Sequence, residues 1–388
     1  MAFGSLIFQG AGFVIILALK GSLEAQGFAY FITQLAWAGI FGSVATFRLE
    51  LLLFQEKGCV DRPSLITTLI FCIGILALIG IVFSVSAAVL GRASPLSWVS
   101  LLLAFGFALH EAQSFLCVQM TRIPELILTR IAQSIGLMIT GYIGWAGQMQ
   151  TLGIILLYGL AIMLPILIWF VTAIIRAEGP TRFHFPSRKA WGRSLYLVIA
   201  TLVNTVYVNL AILIAGATQS PALVADFGFV MKLLTGPISL IRQAFGHTFM
   251  VDAFAIDHRM RNARGQFHTL LNRTIISSLK TYLLILIPVF LFLWFTSDIF
   301  GIIHAEIILW MSLASIAQVM VNPINGVRTP LQRELSFLLF DFMRTILLAA
   351  ALLVPLLVPF EITFSVVSAL LYGSYSLFIR HQVNHIGD

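Results

Sequence analysis

Apolar stretches long enough to cross a lipid bilayer follow one another along almost the whole chain. A membrane-spanning helix needs about 20 mainly apolar residues. Twelve segments meet this requirement: 3–20, 27–55, 65–90, 97–120, 124–147, 151–176, 191–217, 221–255, 275–301, 304–326, 333–358 and 360–380. Since no long segment remains for a soluble domain, the sequence predicts an all-α integral membrane protein with twelve transmembrane helices.

The composition supports a membrane protein. Of the 388 residues, 59% are hydrophobic and 10% are charged, whereas a soluble domain carries about 25% charged residues. The three cysteines, Cys59, Cys72 and Cys117, lie in or beside apolar segments and lack metal-ligand spacing. We therefore expect neither a disulfide framework nor a metal site.

Basic residues in the connections predict the orientation in the membrane. The connections after spans two, four, six, eight and ten, with the C-terminal segment, contain nearly all of the loop lysines and arginines, whereas the opposite connections contain only Lys20 and Arg92. By the positive-inside rule, both termini are cytoplasmic. The net charge of +7 therefore reflects topology, and we expect no nucleic-acid partner.

This topology can be tested by cysteine labelling from outside intact cells. We expect a cysteine at Ser94 to react with a membrane-impermeant reagent, because the predicted topology places residues 92–96 in the periplasm. A cysteine at Arg188 should stay unlabelled, since residues 180–190 are predicted to be cytoplasmic. The opposite labelling pattern would contradict twelve spans with both termini inside.

The chain divides into two predicted halves. Its longest polar connection, "RAEGPTRFHFPSRKAWGR" at 176–193, leaves six spans on each side. A weak repeat relates "ILALKGSLEAQGFAYF" (16–31) to "ILIAGATQSPALVADFGF" (212–229). We predict two six-helix bundles, at 1–180 and 181–388, related by an axis along the membrane normal because each half has an even number of spans.

Several motifs resemble those of a known family. They are "EAQGFAYF" and "FRLELLLFQEKG" around span two, "RIAQSIGLMITGYIGW" in span five, "FHFPSRKAWGRSLYLVIATLVNTVYVNLAILIAG" opening the second half, "VADFGFVMKLLTGPISLIRQAFGHTF" in span eight and "NPINGVRTPLQRELSFLLFDFMR" before span eleven. The ordered set resembles the bacterial polysaccharide-export flippases of the Wzx type. That family belongs to the multidrug/oligosaccharidyl-lipid/polysaccharide (MOP) exporter superfamily.

The resemblance implies a MATE-like, V-shaped transporter in the bacterial inner membrane. It would move undecaprenyl-pyrophosphate-linked oligosaccharide units between leaflets by alternating access, for O-antigen, capsule or exopolysaccharide synthesis. Such a protein is not an enzyme and needs no cofactor, although H⁺ or Na⁺ can drive transport. Besides its substrate and membrane lipids, a polysaccharide polymerase and glycosyltransferases are candidate partners.

Charged residues inside the spans are the candidate site residues, because burying a charge at the bilayer centre costs at least about 2.5 kcal/mol. The candidate substrate-binding residues are Arg48, Lys232, Arg242, Arg130 and Arg344. Guanidinium groups match phosphate oxygens bidentately. The candidate ion-coupling residues are Glu111, Glu50, Asp226 and His110, with Glu111 first because it lies mid-span without a cation in its own helix.

Each candidate also has a structural alternative. Arg48 and Glu50 cannot pair with each other, because two residues correspond to about 200° around a helix. Arg48 or Arg130 could instead extend to the membrane interface. Lys232 could pair with Asp226, and Asp341 with Arg344 three residues later.

Other functional classes remain open alternatives. A multidrug or cation antiporter of the same superfamily would favour an acidic cavity, whereas the bases outnumber the acids here. A peptidoglycan-precursor flippase usually has two extra helices. An integral-membrane enzyme of polysaccharide synthesis would need a catalytic group of residues on a substantial loop, and the predicted outer loops are short.

Overall fold

The structure is a computed structural model that is helical almost throughout. It describes residues 2–46, 62–90, 98–119, 122–147, 149–176, 188–256, 263–295, 306–328, 331, 334–354 and 358–384.

Twelve α-helices and one 3₁₀ helix lie within those described residues. The α-helices are α1 (Ala2–Ser22), α2 (Ala25–Ala45), α3 (Arg62–Leu90), α4 (Trp98–Gln119), α5 (Ile123–Trp145), α6 (Thr151–Arg176), α7 (Arg188–Thr218), α8 (Pro221–Ala255), α9 (Ala263–Phe295), α10 (Glu306–Val321), α11 (Glu334–Leu353) and α12 (Phe360–Asn384). The 3₁₀ helix, Asn322–Arg328, follows α10 directly. Each α-helix overlaps one predicted span in chain order, which confirms the twelve-helix, all-α fold class.

The length and composition of the helices fit a multi-pass membrane protein. Within the described residues, ten helical stretches are long and apolar enough to cross a membrane. A helix satisfies its own backbone polar groups, which lipid cannot do. The start of α8 illustrates how local sequence begins a helix. The Ser220 side chain caps it by accepting a 3.3 Å hydrogen bond from the Leu223 amide, and Pro221 takes the first helical position.

The helices form two compact units, residues 1–216 and 217–388. In the first unit, α1 packs on α5, α2 packs on α4, and α6 contacts both α4 and α5. Small residues allow close approach: a Cβ built on Gly42 would lie 2.9 Å from the Ala104 carbonyl oxygen. The first unit also includes most of α7, whose Asn209 side chain lies beside Gly39 of α2. The predicted division at 180/181 into two six-helix bundles stays a prediction.

In the second unit, α10 packs on α12, while α8 packs on α9, α10 and the 3₁₀ helix. A Cβ on Gly246 of α8 would lie 3.3 Å from the Pro323 carbonyl oxygen, so the two backbones come close here. The Tyr375 hydroxyl of α12 donates a 2.6 Å hydrogen bond to Asn325 Oδ1. These contacts fix the 3₁₀ helix against α8 and α12.

Candidate functional site

Two predicted site residues fall outside the described part of the chain. Arg48 and Glu50 lie within residues 47–61, between α2 and α3. Their roles in substrate binding and ion coupling stay predictions.

Helix α8 holds two cationic side chains from the predicted substrate site. Lys232 is half-buried and Arg242 is exposed. Across the part of the chain that the structure describes, neither side chain makes an ion pair or a hydrogen bond. An ammonium group within a membrane span, without a neutralising carboxylate among these residues, is typical of a polar pathway.

The alternative pairing of Lys232 with Asp226 is not made in the structure. Asp226 is almost completely buried, with 1% of its surface exposed. Six residues separate the two on α8, which corresponds to about 240° around the helix. Asp226 therefore faces the interior of its unit while Lys232 lies on another side, and the proposed coupling role of Asp226 stays a prediction.

Proline does not end α8. The helix continues from Pro221 to Ala255 through Gly236 and Pro237. Pro237 supplies no backbone N–H, so one hydrogen bond of the helix is missing in the segment between Lys232 and Arg242. Near Lys232, the Thr235 hydroxyl donates a 3.2 Å bond to the Lys232 carbonyl oxygen.

The first unit contains a buried polar cluster centred on Arg130 of α5. Its guanidinium contacts both ring nitrogens of His110 and donates a 2.5 Å hydrogen bond to the Ser114 hydroxyl. It also donates a 3.5 Å bond to Gln133 Oε1 and lies over the ring of Phe8, 5.2 Å from its centroid. Arg130 thus ties α5 to α4 and α1.

The partners of Arg130 are uncharged residues or a histidine. The side chain is 5% exposed, and its Nε has no hydrogen-bond partner. Arg130 therefore points into its unit, and its alternative role at the membrane interface stays a prediction. The His110 ring also packs on Phe8, with centroids 4.7 Å apart, so the predicted substrate-binding residue Arg130 and the predicted ion-coupling residue His110 lie in one cluster.

We expect Arg130→Lys to lower the free energy of unfolding by about 1–3 kcal/mol, because a lysine cannot satisfy Ser114 and Gln133 through a planar fork. Thermal unfolding of the purified protein measures this loss. Arg273→Lys, at an exposed position of α9, is the matched control. An unchanged unfolding temperature for Arg130→Lys would show that the planar geometry of the guanidinium does not contribute to the free energy of unfolding.

Asp341 and Arg344 pair with each other within α11. Arg344 Nη2 lies 3.0 Å from Asp341 Oδ1, and the two side chains are 1% and 0% exposed. The guanidinium also lies over the rings of Tyr375 and Tyr372, 4.7 and 5.8 Å from their centroids. The structural-pair interpretation of these residues accounts for this geometry, and a substrate-binding role of Arg344 stays a prediction.

Glu111, the first candidate for ion coupling, is half-buried on α4 next to His110. Adjacent helical residues point about 100° apart, so the carboxyl and the imidazole face different neighbours. Its role, like that of His110, stays a prediction.

The sequence analysis missed several polar residues that lie within or beside the helices. Ser114 lies one helical turn from His110, so the spacing alone could have placed it on the same face. Glu125 joins α5 to α6: its Oε2 accepts a 2.8 Å bond from the Trp169 indole, and its Oε1 lies 3.8 Å from Arg176 Nη1. The sequence analysis also missed Lys280 of α9, which is an exposed base. Its side chain is close enough to the predicted cytoplasmic surface to reach the lipid headgroups.

Comparisons with known proteins identify the fold. No protein-family model matches the sequence, and no curated protein matches it. Among solved structures, an inward-facing multidrug resistance MATE family transporter of the MOP superfamily matches with a TM-score of 0.63 at 12% identity, covering 100% of both chains. An outward-facing transporter of that description matches with a TM-score of 0.56 at 11% identity, covering 99% of this chain and 95% of the other.

A third similar structure, of MATE in the straight conformation, has a TM-score of 0.56 at 12% identity over 98% of this chain and 95% of the other. These likenesses extend over nearly the full length of the chain. The protein therefore has the fold of MATE family transporters.

Proposed function

We propose that the protein is an alternating-access transporter that moves undecaprenyl-pyrophosphate-linked oligosaccharides from the cytoplasmic to the periplasmic leaflet of the bacterial inner membrane. The observation that carries this proposal is Lys232, a half-buried base eleven residues after the start of α8 and without an ion pair among the described residues. A transporter of an anionic headgroup provides a reason to keep such a charge in the membrane.

Three of the candidate bases, Arg130, Lys232 and Arg242, have no carboxylate partner among the described residues, which supports an anionic substrate. Arg344 is neutralised by Asp341, whereas Arg130 contacts His110, Ser114 and Gln133 and no carboxylate within the described residues. Lys232 and Arg242 add two further positive charges. An uncompensated positive charge favours pyrophosphate and opposes the entry of organic cations.

A multidrug or cation antiporter is the second candidate, and the similar solved structures favour it. Two of them are described as multidrug resistance transporters. In such a protein, Glu111, half-buried on α4, would attract a cation or exchange it for H⁺ or Na⁺. The two candidates therefore differ in the sign of the charge that they bind.

Ligand-induced stabilisation of the purified protein distinguishes these candidates. At a concentration of about 100 Kd, a ligand that binds only the folded state stabilises it by about 2.7 kcal/mol. We expect this from undecaprenyl pyrophosphate carrying a short oligosaccharide, and no comparable effect from undecaprenol or from tetraphenylphosphonium. Stabilisation by tetraphenylphosphonium alone would support the antiporter and contradict the flippase.

A further inference from the structure

Helix α8 places Lys232 and Arg242, neither of which has an ion-pair partner among the described residues, at different depths of the membrane. With a rise of 1.5 Å per residue, Lys232 lies about 17 Å from the start of α8 at Pro221 and Arg242 about 32 Å from it. The hydrocarbon core is about 30 Å thick. Counted from Pro221, Lys232 therefore lies near the bilayer centre and Arg242 near the predicted cytoplasmic boundary of the hydrocarbon core, while α8 itself continues to Ala255.

Small and polar residues join these two positions along one side of α8. Around the helix axis, Gly236, Ser239 and Thr235 lie within about 60° of Lys232, and Arg242 within about 80°. All three intervening residues are half-buried. The opposite side is apolar and buried, and consists of Leu233, Leu234, Ile238 and Ile241. We call the side formed by Lys232, Thr235, Gly236, Ser239 and Arg242 the polar track.

The two charges are too far apart for ordinary simultaneous binding of one pyrophosphate. Their backbone positions differ by about 15 Å along the axis, and side chains of an α-helix lean toward its N-terminus. Both side chains therefore lean in the same direction along α8, and the distance between Lys232 and Arg242 stays at about 15 Å. A pyrophosphate group is only a few ångströms long, so it can occupy one of the two positions at a time.

We infer that the polar track of α8 is a two-station path, in which Arg242 receives the pyrophosphate headgroup at the cytoplasmic leaflet and Lys232 holds it at mid-membrane. This inference rests on the proposed function and assigns the two bases to consecutive steps. It differs from a single cage in which all bases contact the same phosphates together.

The chemistry of the two side chains suits this order. Arginine presents a planar fork that binds phosphate oxygens bidentately, which favours selective capture of a headgroup from the membrane surface. Lysine is a compact point charge with rotatable donors. At mid-membrane it compensates the charge of the passing headgroup without the geometric demands of a fork, so release is easier.

Kinetics of reconstituted protein test the assignment, with a fluorescent undecaprenyl-pyrophosphate-linked disaccharide as the probe. We expect Arg242→Gln to raise the apparent KM about tenfold with a maximal rate within about twofold of the wild type, because loading loses a charge-assisted contact. Lys232→Gln should lower the maximal rate about tenfold or more and leave the binding affinity nearly unchanged.

A steric variant tests the path between the stations. Ser239→Phe should block movement along the polar track and lower the maximal rate about tenfold, while the probe still binds. Ala244→Phe is the matched control, since Ala244 is exposed and lies about 120° around α8 from Lys232. Monodisperse elution on size exclusion, required of each variant, separates these effects from misfolding, and Arg242→Lys provides a conservative second variant at the loading station.

These measurements distinguish failure of the two-station path from failure of the proposed function. If the wild type moves the probe but Arg242→Gln and Lys232→Gln show the same loss of affinity or the same loss of maximal rate, the two-station path is wrong while the proposed function stands. If the wild type neither binds nor moves the probe, the proposed function itself fails, and the inference fails with it.

Discussion

Lys232→Glu is expected to reduce export of surface polysaccharide at least about a hundredfold. At an effective dielectric constant of 20, two unit charges 4 Å apart interact by about 4 kcal/mol, and each 1.36 kcal/mol changes a rate tenfold. Reversing the charge replaces attraction of the pyrophosphate by repulsion. Near the bilayer centre, little water is present to screen this repulsion. Lys232→Arg, which keeps the positive charge, should retain part of the activity.

Export is measured as surface glycan per cell, normalised to the amount of transporter in the membrane. The matched control is Arg273→Glu, which changes the net charge equally at an exposed position of α9. This control should export at nearly the wild-type rate. Wild-type export by Lys232→Glu would show that the α8 base does not face the substrate.

Arg344→Met is expected to destabilise the second unit by about 3–5 kcal/mol, because the substitution leaves the Asp341 carboxylate in a site where it is 0% exposed without its cation. Loss of the contact with the Tyr375 ring, 4.7 Å from the guanidinium, adds to the cost. Thermal unfolding of the purified variant measures the change.

The double variant Asp341→Leu with Arg344→Met should recover most of this stability, since two apolar side chains replace a buried ion pair at little cost. Export by the double variant then separates the two roles of Arg344. Near-normal export would show that Arg344 acts in the fold alone, whereas a stable but inactive double variant would support its predicted role in substrate binding. Equal instability of the single and double variants would contradict the ion-pair account.

The helices could be predicted from the sequence because length and hydropathy are read directly from neighbouring residues. Each of α1 to α12 overlaps a predicted span, and the lipid environment leaves few alternatives to a helix for such segments. The Asp341–Arg344 pair was predictable for a similar reason, since a spacing of three residues places both side chains on one helix face.

The surroundings of Arg130 were not predictable in the same way. Its contacts with His110 and Phe8 join α5 to α4 and α1, and helix-to-helix registers depend on packing that one sequence does not specify. The sequence also left open whether Lys232 pairs with Asp226, because both are polar residues of one helix. The structure separates them by placing Asp226 on the buried side.

Movement of the lipid-linked probe between leaflets is the most direct test of the central claim, that a base inside α8 carries an anionic headgroup across the membrane. In proteoliposomes, the appearance of the undecaprenyl-pyrophosphate-linked disaccharide on the opposite leaflet is followed by its accessibility to an impermeant glycosidase. We predict a rate at least about tenfold above protein-free vesicles for the wild type, and the protein-free rate for Lys232→Glu. A wild-type rate equal to that of protein-free vesicles, or an unchanged rate for Lys232→Glu, would contradict the claim.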